Sequence, residues 1–252
     1  MIDRFPAELD DLLNARGRRL LAGAPRFEEL AARRETPIVF LEGVIDRDVA
    51  RDCVRLLDEA LHPLMHRMHV PIPRQSITDM ETNYTETLGK TMRVRTATFN
   101  SRRSKVLDAA REIGLAQMMT SASFHGAAQA VTRFPLSASI GGRQVICYHA
   151  GDYSGAHNDH HPEDEGTCNG FVDLHLMFSN DAVAQQLLVY ENRRYFSSAH
   201  EVSGKPSIAI YKLPFWHYTT PLVARRGQES RARRWLLLGS FDYDPPLAKL
   251  RY

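Results

Sequence analysis

From Arg143 onward the apolar positions fall into runs of strand length: Arg143–Tyr148, Phe171–Phe178, Gln186–Tyr190, Ser207–Tyr211 and Trp235–Phe241. Each run is rich in aliphatic or aromatic side chains and is bounded by turn residues, the pattern of short strands. Their regular spacing predicts a β-sandwich or jelly roll. The first half reads differently. In Ala7–Asn14 leucines recur at helical intervals, and Arg26–Arg33 reads as a continuation of the same surface layer. Pro37–Leu41 predicts a strand, and Asp46–Leu61 predicts the clearest helix of the chain. Asp46 can cap that helix, while Val49, Cys53, Leu56, Leu57 and Leu61 form its apolar stripe.

Between His66 and Asn100 the pattern is irregular, with Pro71 and Pro73 followed by polar residues. Val94, Thr96 and Thr98 then alternate in strand fashion. A long polar stretch inside a compact domain is often functional, which makes this region the expected lid over a ligand site. Residues 103–119 and 122–132 are helical by composition, and Pro135 ends that region. The organisation expected is one domain over 1–252: support and lid over 1–135, and a β core over 136–245.

Composition narrows the picture without changing it. A chain of 252 residues with 43% hydrophobic content can bury one sizeable core. A net charge of +2 with 25% charged residues is ordinary for a soluble globule and gives no warrant for a nucleic-acid or membrane partner. Cys53, Cys147 and Cys168 are too scattered for a disulfide framework, which points to reduced thiols. The amino terminus lacks the pattern of a signal peptide, and no apolar run approaches the ~18 residues needed to span a bilayer. Cytoplasmic location is the default expectation.

The candidate chemistry lies in His157-Asn158-Asp159 and a later His217 within Phe215-Trp216-His217-Tyr218. Two imidazoles and one carboxylate form the ligand set of a facial iron site, which leaves the opposite face of an octahedron open. An open face suits a catalyst, whereas a structural metal site is closed.

Taken in order, the strand ending at Tyr148, the Gly151-Asp152 loop, His157 and Asp159, the Leu176–Asp181 strand end, the strand start at Gly204-Lys-Pro-Ser, and His217 followed by Pro221 resemble one superfamily. It is the iron(II) and 2-oxoglutarate-dependent dioxygenases, in particular the prolyl-4-hydroxylase-like branch, and the resemblance spans roughly residues 140 to 243. It implies a mainly β fold with α elements: a double-stranded β-helix (jelly roll, cupin-like) with N-terminal supporting helices packed on its outer sheet. It also implies that His157, Asp159 and His217 bind Fe(II), that 2-oxoglutarate chelates the same metal, and that O2 is the oxidant. In the family an arginine or lysine near the start of the last strand holds the far carboxylate of 2-oxoglutarate. The usual place, about ten residues past the distal histidine, is here Gly227, so this sequence departs from the pattern. Counting back from Phe241 puts the cation at Arg234, with Arg231 and Arg233 as alternatives. A guanidinium suits the role because its planar fork pairs with a carboxylate and stays charged when dehydrated. Tyr148 would offer a phenol to the same cosubstrate.

Other readings of these residues stay open. His161-Pro-Glu163 is itself a His-x-Glu triplet, although Pro162 would stiffen it. His149 points to the face opposite Tyr148 if the strand continues, and reads as a polar loop residue. Most of Arg225, Arg226, Arg231, Arg233 and Arg234 read as a solvated loop. Asp173, His175 and Met177 share one strand face, either partly exposed or lining a cavity. Trp216 and Tyr218 flank His217 and read as core packing or as a pocket wall.

As an enzyme of this family the chain would hydroxylate an unactivated C–H bond of a small polar metabolite, such as an amino acid or natural-product intermediate, releasing succinate and carbon dioxide. Asp159 argues against halogenation, since related halogenases carry a small residue there. A peptidyl (prolyl-type) hydroxylase and a nucleic-acid demethylase are the alternatives within the class. A non-catalytic metal-binding sensor or scaffold is the alternative outside it.

Overall fold

The computed structural model describes residues 2–22, 37–72, 91–98, 104–132, 135–137, 142–159, 170–192 and 195–244. In chain order the helices are α1 (Ala15–Leu21), α2 (Arg47–Leu56), α3 (Lys105–Glu112), α4 (Leu115–Met118) and α5 (Ala122–Thr132). The strands are β1 (Ile38–Glu42), β2 (His66–Pro71), β3 (Thr91–Thr98), β4 (Gly142–Tyr148), β5 (Tyr153–Ser154), β6 (Phe171–Ser179) and β7 (Val183–Gln185). They continue with β8 (Leu187–Asn192), β9 (Tyr195–Glu201), β10 (Ser207–Leu213), β11 (His217–Thr219), β12 (Val223–Ala224) and β13 (Arg234–Asp242).

Period-two alternation sorts the side chains of the long strands onto two faces. These strands form an antiparallel sheet ordered β1-β10-β6-β13-β4-β3-β2, with β5 also paired to β3. On the outer face Val145, Cys147, Leu174, Leu176, Trp235 and Leu237 pack against the helices. On the inner face Ile146, Tyr148, Met177, Tyr211 and Leu236 meet Leu188, Val202 and Leu222 from the smaller sheets, β11-β8-β9 and β12-β7. Two stacked sheets with an apolar layer outside and a mixed layer inside make a double-stranded β-helix whose interior can hold a ligand. Each fully buried Leu or Phe on the outer face contributes roughly 1.5–3 kcal/mol relative to an exposed one.

The helical layer is set by caps and close approaches. Asp46 Oδ1 accepts the N–H groups of Asp48 and Val49 at 2.9 and 3.1 Å, which starts α2 and stabilises it by about 1 kcal/mol. The helix continues through a wider π turn at Leu57–Leu61, where Leu57 and Leu61 are buried and Asp58 Oδ1 accepts Trp235 Nε1–H at 3.0 Å. That bond ties the helix to the back of β13. Gly239 admits α5 to the sheet, because a Cβ there would come within 2.7 Å of the Phe124 ring.

Two expectations change. Ala7–Asn14 holds a 3-10 turn at Leu9–Leu12 rather than an α-helix, because Asn14 instead caps α1, accepting Gly17 N–H at 3.0 Å. The single helix expected over 103–119 is divided into α3 and α4 at Gly114, whose φ of +79° breaks the helix. A side chain there would approach the Phe5 carbonyl at 2.9 Å. β9 was not legible because its residues are mostly polar and half-exposed. Arg26–Arg33 and residues 73–90 of the expected lid lie outside the described residues, while the flanking β2 and β3 extend the large sheet. Among the described residues no helix is long and apolar enough to cross a membrane.

Candidate metal centre

His157 and His217 are brought together by the backbone. Each donates its N–H to the other's carbonyl, at 3.0 and 2.9 Å, in an isolated antiparallel bridge that extends the β11 edge of the smaller sheet. Each ring is then oriented from behind. His157 Nδ1 lies 2.6 Å from the Gly155 carbonyl and His217 Nδ1 lies 3.0 Å from the Phe215 carbonyl. A carbonyl can only accept, so both Nδ1 atoms carry the hydrogen and both Nε2 lone pairs face inward, the tautomer a metal needs.

Asp159 completes the group from a left-handed backbone position, φ +55°, which Asp tolerates better than most residues. Its two oxygens each stand 3.5 Å from one imidazole, Oδ1 from His157 Nε2 and Oδ2 from His217 Nε2. The three ligand atoms lie within 4.8 Å of one another. Ligands about 2.1 Å from one ion and at right angles stand about 3 Å apart, so small side-chain movements would close this set on a divalent cation. Burial, reinforced by neighbouring His157, pushes His217 down to about 3 and keeps its lone pair free of a proton. The donor set therefore fits ferrous iron.

The three residues open into a cavity of about 240 Å³ between the sheets. Arg234, only 2% exposed, lines the same cavity. Its Nε donates to the Val202 carbonyl at 2.9 Å and its Nη1 to Gln186 Oε1 at 3.2 Å, while Nη2 lies 3.2 Å from Met177 Sδ. The guanidinium carbon stands 5.0 Å from the centre of the Tyr148 ring. Every one of these partners is neutral, and no carboxylate among the described residues pairs with the cation. Burial lowers its pKa from the ordinary arginine value, but a guanidinium remains charged. Tyr148 is buried beside it, and burial pushes its phenol up, which keeps it a neutral donor.

Alternation along β13 explains which arginine enters. Arg234, Leu236, Leu238 and Ser240 line the cavity, while Trp235, Leu237 and Phe241 pack outward. Arg231 is exposed and Arg233 lies 3.7 Å from Asp58 outside the cavity. Asn180 braces the loop before β13, donating to the Arg231 carbonyl at 2.7 Å and accepting Arg233 N–H at 3.3 Å. His161-Pro-Glu163 lies outside the described residues.

A second convergence, His62, Cys147 and His149, sits on the outer face of the large sheet. His62 Nε2 and His149 Nε2 are 3.0 Å apart. Burial followed by the charges of Arg233 and Arg95 lowers both imidazoles, His149 to about 4, and burial raises the Cys147 thiol. Guanidinium groups around a protonated thiol repel a cation, so this cluster is the poorer metal site. His149, read as a loop residue, is thus one half of a histidine pair.

The inner face of β6 carries what the sequence left undecided. Asp173 and His175 are both buried and line the cavity, as do Tyr211 and Thr219. Two polar residues at alternate positions of an otherwise apolar strand were the available signal; the facing direction was not. Trp216 and Tyr218 are only half-buried, with Tyr218 stacked edge-on against Phe196 at 5.3 Å. Phe215, buried 4.8 Å from the His217 ring, packs there instead.

No family model matches the sequence, and a search of the curated proteins finds no match to it. Solved structures do match the fold. An oxidoreductase of the 2OG-Fe(II) oxygenase family from Burkholderia pseudomallei superposes with a TM-score of 0.58 at 12% identity, covering 91% of this chain and 95% of its own. The non-haem alpha ketoglutarate dependent carbocyclase SnoK from nogalamycin biosynthesis gives 0.55 at 11% identity, over 90% of this chain and 89% of its own. AviO1 from Streptomyces viridochromogenes gives 0.52 at 10% identity, over 90% and 100%. The chain therefore has the double-stranded β-helix fold shared by these structures.

Proposed function

We propose that the chain is a non-haem iron(II) and 2-oxoglutarate-dependent oxygenase that hydroxylates an unactivated C–H bond of a small polar metabolite, releasing succinate and carbon dioxide. One observation carries the reading: a two-histidine, one-carboxylate ligand set shares its cavity with a buried guanidinium that has no counter-ion among the described residues. A buried charge without a partner is costly, and a ligand carboxylate relieves that cost. A zinc site of the structural kind needs no such cation. The two features together suit a dicarboxylate that binds the metal at one end and an arginine at the other.

In this reading His157, Asp159 and His217 hold ferrous iron, and Arg234 with Tyr148 holds the distal carboxylate of 2-oxoglutarate. Bound iron and cosubstrate supply the activation of O2 for attack on a C–H bond. The protein's own share is orientation and exclusion. The carbonyls of Gly155 and Phe215 aim the imidazoles, the Val202 carbonyl and Gln186 aim the guanidinium, and Ile146, Leu236 and Leu238 wall the chamber against water. The carboxylate at 159 favours hydroxylation over halogenation. A cavity of about 240 Å³ that is shared with the cosubstrate suits a small molecule, and likeness to a carbocyclase of natural-product biosynthesis supports the same class.

The test is anaerobic addition of Fe(II) and then 2-oxoglutarate, which gives a weak visible charge-transfer band when the cosubstrate chelates iron. A metabolite screen that reads succinate then finds the substrate. Folded protein that gives no band refutes the proposal.

A further inference from the structure

Polar groups on the inner face of β6 remain unused once metal and cosubstrate have taken theirs. Asp173 and His175 are each 5% exposed and line the same cavity. Asp173 Oδ1 and both ring nitrogens of His175 have no hydrogen-bond partner. Asp173 Oδ2 stands 3.6 Å from His175 Nε2, too long for a hydrogen bond. Buried polar atoms are normally satisfied, and exceptions inside a cavity mark what a ligand is there to supply.

Their position separates them from the cosubstrate's groups. On β13, Arg234 pairs with Tyr148 and Ser179, whereas Ser240 pairs with Asp173. Those six residues of strand amount to ~20 Å at about 3.3 Å per residue. Tyr211, directly across from Asp173 on β10, packs its ring 4.1 Å from His175 and edge-on 5.6 Å from His217. Through Tyr211 the pair adjoins a histidine of the candidate metal set, six strand residues along from Arg234, which leaves it free for the substrate.

Charge gives the site its sign. On the reading above, the two positive charges of ferrous iron and the one of Arg234 are matched by Asp159 and the two carboxylates of 2-oxoglutarate. Asp173 is left over. Burial pushes its pKa up, against the opposing pull of His175 and the Ser240 hydroxyl.

We propose that Asp173, with the free ring nitrogens of His175 beside it, anchors the substrate and selects a molecule carrying a protonated amine or guanidine nitrogen close to the carbon that is oxidised. The inference rests on the oxygenase reading and names the substrate class for that site. Methylammonium is the probe and acetamide its uncharged counterpart, each added anaerobically to protein loaded with Fe(II) and 2-oxoglutarate. High-spin iron speeds relaxation of methyl protons held near it, and protein loaded with zinc provides the diamagnetic blank. The expected result is iron-dependent relaxation of methylammonium, with little for acetamide. In Asp173→Asn the loss of a charge-assisted contact weakens binding roughly ten- to a hundred-fold. Equal behaviour of the two probes on the unaltered protein overturns the proposal, whether or not the variant folds, as does a folded variant that binds methylammonium as well as the parent. The charge-transfer band in the same samples separates the two failures. A band without a probe effect removes the substrate class alone, and no band removes the oxygenase reading with it.

Discussion

Replacing Arg234 by Met tests the cosubstrate assignment with a sign that differs between the free and the loaded protein. In the free protein the guanidinium is buried and, among the described residues, paired only with neutral acceptors, so its removal relieves a desolvation cost while leaving the Val202 carbonyl and Gln186 Oε1 without a donor. These effects oppose each other, and the free protein should change little in stability. With 2-oxoglutarate bound, the same substitution strips a buried carboxylate of its partner, worth about 3–5 kcal/mol, or at least about a hundred-fold in Kd. At a concentration about 100 times the parent's Kd, cosubstrate stabilises the parent by about 2.7 kcal/mol and a hundred-fold weakened variant by only about 0.4 kcal/mol. At roughly 2–4 °C per kcal/mol for a chain of this size, a thermal shift of about 5–10 °C falls to about 1 °C. The assay is thermal unfolding of metal-loaded protein with and without 2-oxoglutarate, with Arg231→Met and Arg233→Met alongside. A full shift retained in Arg234→Met, or an equal loss in Arg231→Met, refutes the assignment.

Other consequences are as direct. His157→Ala or His217→Ala should abolish succinate release and cut iron bound per chain, measured after dialysis, while Asp159→Gly should cripple hydroxylation. Iron retained at parental affinity in His217→Ala would count against the ligand set. His149, lowered to about 4 in the fold against an ordinary 6.5, binds its proton more readily when unfolded, so its contribution to stability is complete above pH 6.5 and is lost as pH falls toward 4. The thermal midpoint of metal-free protein should decline across that window, and His149→Asn should decline less; parallel curves would remove the cause. Gly239→Ala, which drives a methyl into the Phe124 ring, should cost about 1–3 kcal/mol, a drop of roughly 2–12 °C in Tm. An unchanged midpoint would mean that α5 docks more loosely than its contacts imply.

The fold was legible because its strands carry their signal locally. Runs such as Phe171–Phe178 and Trp235–Phe241 are buried on both faces and bounded by turns, and the stripe on α2 follows from its own period. β9 was illegible for the complementary reason, since it pairs through its backbone while its side chains stay polar. The helix breaks at Asn14 and Gly114 depended on distant partners, Val44 and Phe5 meeting the chain from elsewhere, which no local window contains.

The site divides the same way. Residue types alone singled out His157, Asp159 and His217, because ligand chemistry is a property of the side chain, while Tyr148 and a short set of arginines came from the family resemblance. Which arginine turns inward depended on the phase of β13 against β4 and β6: one residue of register exchanges Arg234 for Trp235. That phase is set where Tyr148 meets Arg234 across the sheet and where Trp235 finds Asp58 behind it. For the same reason the polar pair on β6 could be named from the chain but not aimed, since alternation defines two faces and only packing of helices on one of them leaves the other to enclose the cavity.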